Sequence, residues 1–195
     1  MRKEKKNRLK WLFPLFIVFI MVFSVFEIMM GAGGNTTRYN GYKVKTLQDG
    51  FETTVGKLKI QSMYHPKQLE DIESPGLSAL SLMGKQVALS FDPDDSNQMY
   101  TDYARYQLAK FFNDIQVSAV SAVSKEGGNY SLPVIDCSSS TENLTVMLFE
   151  QGNNTKITKE GNCYILKAAS PQEIIMAEER FKFTIAGVMN VTSQQ

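Results

Sequence analysis

The chain has 195 residues, with 21 Lys and Arg against 20 Asp and Glu, one His and two Cys, and 43% of it is apolar. That near balance excludes the strongly basic field of a nucleic-acid partner, and one His with two Cys excludes a standard zinc site built without carboxylates. The balance is unevenly spread: six basic and two acidic residues lie in the first 31, leaving 15 against 18 beyond them, a net of about −3 by charge counting.

Residues 1–10 carry Arg2, Lys3, Lys5, Lys6, Arg8 and Lys10 against Glu4. They read as a basic cytoplasmic stub, because Lys and Arg resist translocation. Residues 11–26 carry no charge, and small and apolar residues continue past Glu27 to Gly34. A bilayer core about 30 Å thick needs roughly 20 helical residues. Residues 11–31 are therefore predicted to be a transmembrane helix embedded in the lipid bilayer and retained as a signal anchor. The run exceeds the h-region of a cleaved signal peptide, although Gly31-Ala32-Gly33-Gly34 is a permissive place to cut. A buried core helix would need a polar face that this run lacks. Glu27 lies at the outer end and reads as a carboxylate reaching the interface. The expected localisation is the cell membrane, single-pass, with the C-terminal domain outside.

Residues 32–41 are rich in Gly, Asn and Thr and read as a flexible stalk. Residues 42–190 then make one extracytoplasmic domain, long enough for its own core, and 191–195 a frayed tail. Strands are expected at 42–47 and 51–55 around the turn Gln48-Asp49-Gly50, and at 57–63, giving an antiparallel meander. His65-Pro66 breaks the pattern, and Ser74-Pro75 has the form of an N-cap and first helical residue for a short helix ending near Met83. Residues 86–91, a helix from about Asn97 to Asn113, and residues 117–123 read as a βαβ unit, the helix buried through a stripe including Tyr100, Ala104, Leu108 and Phe111. A short strand at 132–136 follows, then a hairpin of 144–150 and 155–158 around residues 151–154, a strand at 162–168, and a helix opened by Ser170-Pro171-Gln172-Glu173. The expected fold class is thus mixed α/β with two main helices and the meander in front.

Cys137 and Cys163 both fall in the exported part, and an even pair in an oxidising compartment reads as a disulfide, with two free buried thiols as the alternative. Asn35, Asn129, Asn143, Asn153 and Asn190 each open an Asn-x-Ser/Thr sequon and are candidate N-glycosylation sites. Asp92, Asp94 and Asp95, with Ser96 and Asn97, form the densest set of oxygen ligands and follow a strand end, where open α/β sheets bind ligands. The D-x-D opening resembles a calcium loop, but the sixth position lacks Gly and the twelfth is Tyr103. Helix capping, with Asp95 or Ser96 as the N-cap, is the simpler role for these side chains; a cation site and a catalytic carboxylate are the alternatives. His65 is expected to serve a turn or packing role; Ser90 and Asp92 could be drawn with it into a nucleophilic scheme, but no nucleophile-elbow motif accompanies them. Glu178-Glu179-Arg180 reads as a solvated helix face. A glycine loop for phosphate is lacking, so no cofactor, metal or catalytic residue is assigned.

The run at residues 88–95 (Ala-Leu-Ser-Phe-Asp-Pro-Asp-Asp), the helix at 103–109, residues 161–166 and the segment 177–189 resemble archaeal single-span membrane-anchored proteins of uncharacterised activity. In that group a short basic N-terminus and one span precede an extracytoplasmic α/β domain. The resemblance implies no activity or site residue, but it favours an extracytoplasmic disulfide and N-glycosylation. The favoured function is a membrane-anchored interaction or structural domain of the cell envelope, more a binder than an enzyme, with an envelope protein or glycan as partner. The alternatives are an anchored hydrolase or sugar-active enzyme, or a carbohydrate or peptide binder, using the Asp92–Asp95 turn.

Overall fold

The computed structural model describes residues 5–31, 35–128 and 130–190, with side chains described from residue 12 to 25 in the first stretch. Residues 1–4 of the stub, 32–34 of the stalk, the sequon residue Asn129 and the tail 191–195 lie outside the described residues. The chain divides into two compact units between Thr36 and Thr37.

The first unit is helix α1, Lys5–Gly31. The side chains described in it, from Leu12 to Val25, are all exposed. Ser24, a polar side chain among them, turns its hydroxyl back onto Ile20 O at 2.7 Å, the local bond a hydroxyl makes in a helix without other partners. Among the described residues no helix is long and apolar enough to cross a membrane. The expected span of 11–31 extends past the described side chains at both ends.

The second unit is mixed α/β with two sheets. The first sheet joins β1 (Thr36–Tyr39), β2 (Tyr42–Leu47), β3 (Gly50–Val55) and β4 (Leu58–Ser62) in that order. The three expected strands are β2 to β4, and period-2 alternation brings Val44, Thr53 and Ile60 into one buried row across them. Residues 36–39 were expected to belong to a flexible stalk; they form strand β1 instead. Asn40 and Gly41 both take positive φ (46° and 85°), which returns β1 onto β2 through a two-residue turn of the twisted kind that hairpins favour. Gly50 has φ 134°, and a Cβ there would lie 2.2 Å from Ser62 O, so only glycine fits.

After a 3₁₀ turn at Pro66–Leu69 the chain runs without regular structure to α2, Ala79–Leu82, capped by Ser78. The helix expected from Ser74 therefore starts later. Ser74 is buried, and the hydroxyl of Thr184 reaches its Oγ at 3.2 Å, a tertiary bond that replaces the expected cap.

The second sheet has the order β6-β5-β7-β9-β8, with β5 Gln86–Phe91, β6 Ser118–Val123, β7 Leu144–Gln151, β8 Lys156–Glu160 and β9 Cys163–Ala168. Strand β5 is parallel to both β6 and β7, and β9 is parallel to β7. Helix α3, Gln98–Asp114, completes the expected βαβ unit. The hairpin expected around residues 151–154 does not form: β8 pairs with β9, antiparallel, and β9 lies between it and β7. The reason is burial. Val146 to Phe149 are all buried, so β7 needs parallel neighbours on both edges, while the short, mixed β8 suits the sheet margin. The strand expected at 132–136 reduces to one parallel bridge, Val123 to Val134.

Helices α3 and α4 (Pro171–Ile185) share one face of this sheet with Val87, Leu89, Phe91, Met147, Phe149, Tyr164 and Leu166. The alternate residues Ala88, Val146, Leu148, Cys163 and Ile165 pack with Ile135 and Cys137 on the other face. The crossover from β6 to β7 covers that face, and the disulfide Cys137–Cys163, with Cα atoms 5.2 Å apart, ties the cover to β9. Closing a loop of 26 residues stabilises by roughly 3 kcal/mol in the chain-entropy model.

Candidate functional site

The Asp92–Asp95 turn leaves β5 at its carboxyl end, where β5 leads toward β6 and β7 leads away toward β8 and β9. Such a divergence leaves a crevice in open sheets, and a cleft of about 370 Å³ lies there, lined by Asp92, Asp94, Asp95, Ser124, Glu150 and Gln151. The sequence placed the aspartates correctly at a strand end but did not foresee their partner. Lys125, just beyond β6, holds Asp92 Oδ1 at 3.0 Å and Asp94 Oδ2 at 3.1 Å. Desolvation acts upward on Asp92, yet the Asp94 N–H, at 2.9 Å, and the Lys125 ammonium bring its carboxyl below the ordinary value. The two carboxylates raise the Lys125 pKa in turn through their hydrogen bonds.

Asp95 Oδ1 accepts from Asn97 N at 2.8 Å and Oδ2 from Thr101 Oγ1 at 2.9 Å, while Gln151 of β7 donates its amide to Asp95 and to Ser96. The N-cap of α3 is Asn97, not Asp95 or Ser96 as the sequence implied, and its own side chain makes no capping bond. Asp95 instead supports the turn from two residues upstream. The crevice thus has its cation built in as a lysine, and among the described residues no group of three or more His, Cys, Asp or Glu side chains is placed to hold a metal ion. Beneath the turn, Arg105 lies 3.9 Å over the Phe91 ring and pairs with Asp102 at 2.7 Å; burial lowers its pKa.

His65 is held within the first sheet. Its Nδ1 accepts from Lys67 N at 3.2 Å, its Nε2 lies 3.2 Å from Thr37 Oγ1, and its ring meets Tyr39 and Phe51 edge-on. Desolvation, then Lys67, lowers its pKa. Ser90, fully buried, donates to Ile135 O at 2.6 Å. The structure therefore does not bring Ser90, His65 and Asp92 into a nucleophilic arrangement. Asn35, Asn143, Asn153 and Asn190 are exposed.

The charged cluster that sequence reasoning misassigned is on α4. Glu178, Glu179, Arg180 and Lys182 are all buried, at 0–3% exposure; the expected solvated face is an interior one. Glu179 accepts from Met63 N at 2.6 Å and Tyr64 N at 3.0 Å, taking up two backbone donors just past β4. Arg180 donates Nε to Ile72 O and Nη2 to Asn190 O. Lys182 Nζ sits 3.0 Å from Glu178 Oε1 and 3.5 Å from Gln61 O. These side chains fasten the first sheet and the following loop to α4. Neither Glu178 oxygen has an aligned hydrogen-bond donor despite the nearby ammonium. Burial pushes the Glu178 carboxyl up to about 8, with Lys182 opposing and Glu179 adding to the rise. Burial also raises Glu179 and lowers Arg180. The signal that reveals this face is in the sequence: Ile174, Ile175, Ala177, Phe181, Phe183 and Ile185 surround the helix, and a helix apolar on all sides is buried.

No protein-family model, no curated protein and no solved structure matches the chain.

Proposed function

We propose that the chain is a single-span membrane protein that displays a disulfide-bonded α/β domain outside the cytoplasm, as an interaction or structural domain of the cell envelope. The observation that carries this reading is the pairing of Cys137 with Cys163 in a domain that follows an exposed, uncharged helix stretch. Disulfides persist in oxidising compartments, and α1 offers water no polar face over its described side chains. The basic residues of the stub, from Arg2 to Lys10, support a cytoplasmic N-terminus. A binder is favoured over an enzyme because the aspartates of the crevice are engaged by Lys125, Thr101, Gln151 and backbone N–H groups. The exposed sequons Asn35, Asn143, Asn153 and Asn190 are compatible with glycan attachment on that side.

Protease added to intact cells, after wall removal where a wall exists, should degrade the domain and leave the stub with its helix. Protection of the domain in sealed cells, with digestion only after lysis, would refute the orientation.

A further inference from the structure

A second cavity, of about 570 Å³, opens at the end of the parallel sheet opposite the aspartate turn. Its walls come from the loop and helix around α2, Lys85 just before β5, residues near the starts of β7 and β9, Lys159 near the end of β8, and the end of α4 with the residues after it. We infer that this cavity binds a hydroxylated anion, a sugar carrying a carboxylate or phosphate group.

The argument starts from charge. Lys85 and Lys159 line the cavity, and among the described residues no Asp or Glu does. Neither lysine makes an ion pair among the described residues; Lys159 lies 5.4 Å over the Tyr164 ring, which is itself in the cavity wall. The other clefts differ: the crevice at the carboxyl end carries four acidic residues, and the clefts between the first sheet and the helices include Asp49 and Glu179, or Glu52 and Asp114. In a domain whose overall balance is acidic, two uncompensated ammonium groups at one concave surface concentrate a positive potential there, and low-dielectric walls focus it. Three carbonyls at the end of α4, Lys182 O, Phe183 O and Thr184 O, are taken up by Ala186, Val188 and Gly187 N–H respectively.

The second, independent observation is Thr145. It is 3% exposed, it lines the cavity, and its hydroxyl makes no hydrogen bond among the described residues. The hydroxyl opens onto the cavity, with its proton and lone pairs free for a ligand or water. Two more groups suit hydroxyls on a ligand. Ser78 Oγ accepts from Ser81 N at 3.3 Å, leaving its own proton to give. Asn162 donates Nδ2 to Thr141 O at 3.0 Å and keeps its amide oxygen as an acceptor. Ammonium donors for the charged group and neutral hydroxyl and amide groups for the body match a sugar acid or sugar phosphate, and the volume falls in the roughly 300–1,000 Å³ range of small-molecule sites.

This inference goes beyond the anchoring reading and does not depend on it, because binding is measured on the full chain in non-ionic detergent whatever its orientation in cells. Calorimetric titrations would use glucose 6-phosphate, glucuronate, neutral glucose and inorganic phosphate. The expected result is binding of at least one sugar anion, with glucose and inorganic phosphate each about tenfold weaker or worse, a difference of about 1.4 kcal/mol. The Lys85→Gln/Lys159→Gln variant should lose at least about tenfold in affinity, and Thr145→Val should weaken binding at unchanged melting temperature. Failure of both sugar anions to bind, or undiminished binding in the double lysine variant, would overturn the site. Inorganic phosphate binding as tightly as glucose 6-phosphate would overturn its assignment to a sugar.

Discussion

Replacing Glu178 with Gln tests whether the buried charged face of α4 holds a neutral carboxyl. Glu178 is fully buried, and its carboxyl is raised from 4.5 to about 8. In the unfolded chain it ionises near its ordinary value of 4.5, so between pH 4.5 and about 8 the folded state keeps a proton that the unfolded state releases. The native state then binds more protons, and stability falls as pH rises through that window, with a slope of up to about 1.4 kcal/mol per pH unit. Below pH 4.5 both states are protonated and the contribution is fully favourable; above about 8 the loss is complete. The whole window corresponds to an upper figure of roughly 5 kcal/mol, at about 1.36 kcal/mol per pKa unit. Gln has the shape of the neutral acid and still presents an oxygen to Lys182. The variant should match the wild type near pH 5 and exceed it increasingly toward pH 8. Glu179 is also raised by burial and is present in both proteins, so the difference reports Glu178 together with its interaction with Glu179. Urea unfolding followed by far-ultraviolet circular dichroism, on the full chain in detergent at a series of pH values, gives the curve. A wild-type-minus-variant difference that stays constant from pH 5 to 8.5 would refute the reasoning.

Lys125→Ala should let the Asp92 carboxyl titrate at higher pH, because the ammonium that helps depress it is gone, and should change stability little since the pair is exposed; nuclear magnetic resonance titration of the Asp92 carboxyl carbon reads the shift, and an unmoved midpoint counts against the pairing. Asp95→Ala should destabilise by about 0.5–2 kcal/mol, as losses of helix-end side-chain acceptors do, whereas Asp94→Asn should change little; equal losses in the two variants, measured by chemical unfolding, would remove the distinction drawn between them. Gly50→Ala should cost at least about 1–3 kcal/mol, because positive φ and the approach of Ser62 O leave no room for a Cβ, and a melting temperature equal to that of the wild type would show that the hairpin relaxes freely.

The elements easiest to read in the sequence are those whose period matches their burial. The stripe of Ala104, Leu108 and Phe111 and the alternation of Ile60 and Ser62 with Lys59 and Gln61 each point to one buried face, and each element forms as expected. Pairing partners were harder. The Gly152-Asn153-Asn154 stretch carries strong local turn chemistry, yet β9 enters between β7 and β8 because an internal strand gains more from burial on both edges than a hairpin gains from its turn. Strand β1 escaped because Thr36, Thr37 and Arg38 are exposed and lack an apolar alternation. The candidate sites divide in the same way. Oxygen ligands at the end of β5 are legible from three neighbouring aspartates, but Lys125, which engages two of them, lies beyond a whole βαβ unit. Charge on α4 misled because ionic side chains are normally solvated, and only the packing of a second sheet against the helix makes their burial tolerable.

The placement of β9 has a consequence for how the domain assembles. Because β8 follows β7 in the chain but ends one strand away, the edge of β7 closes only when the later strand β9 reaches it. Until it does, the apolar edge of β7 from Val146 to Phe149 stands open to any other extended chain, the exposure that natural sheets otherwise guard against. Cys163 is the first residue of the arriving strand and opposes Val146 in the finished register. Its bond to Cys137 therefore fixes the final strand where reversal or slippage would begin. A chain whose β9 has not yet reached β7 carries that unclosed edge. Its yield should depend on how soon the thiols are joined.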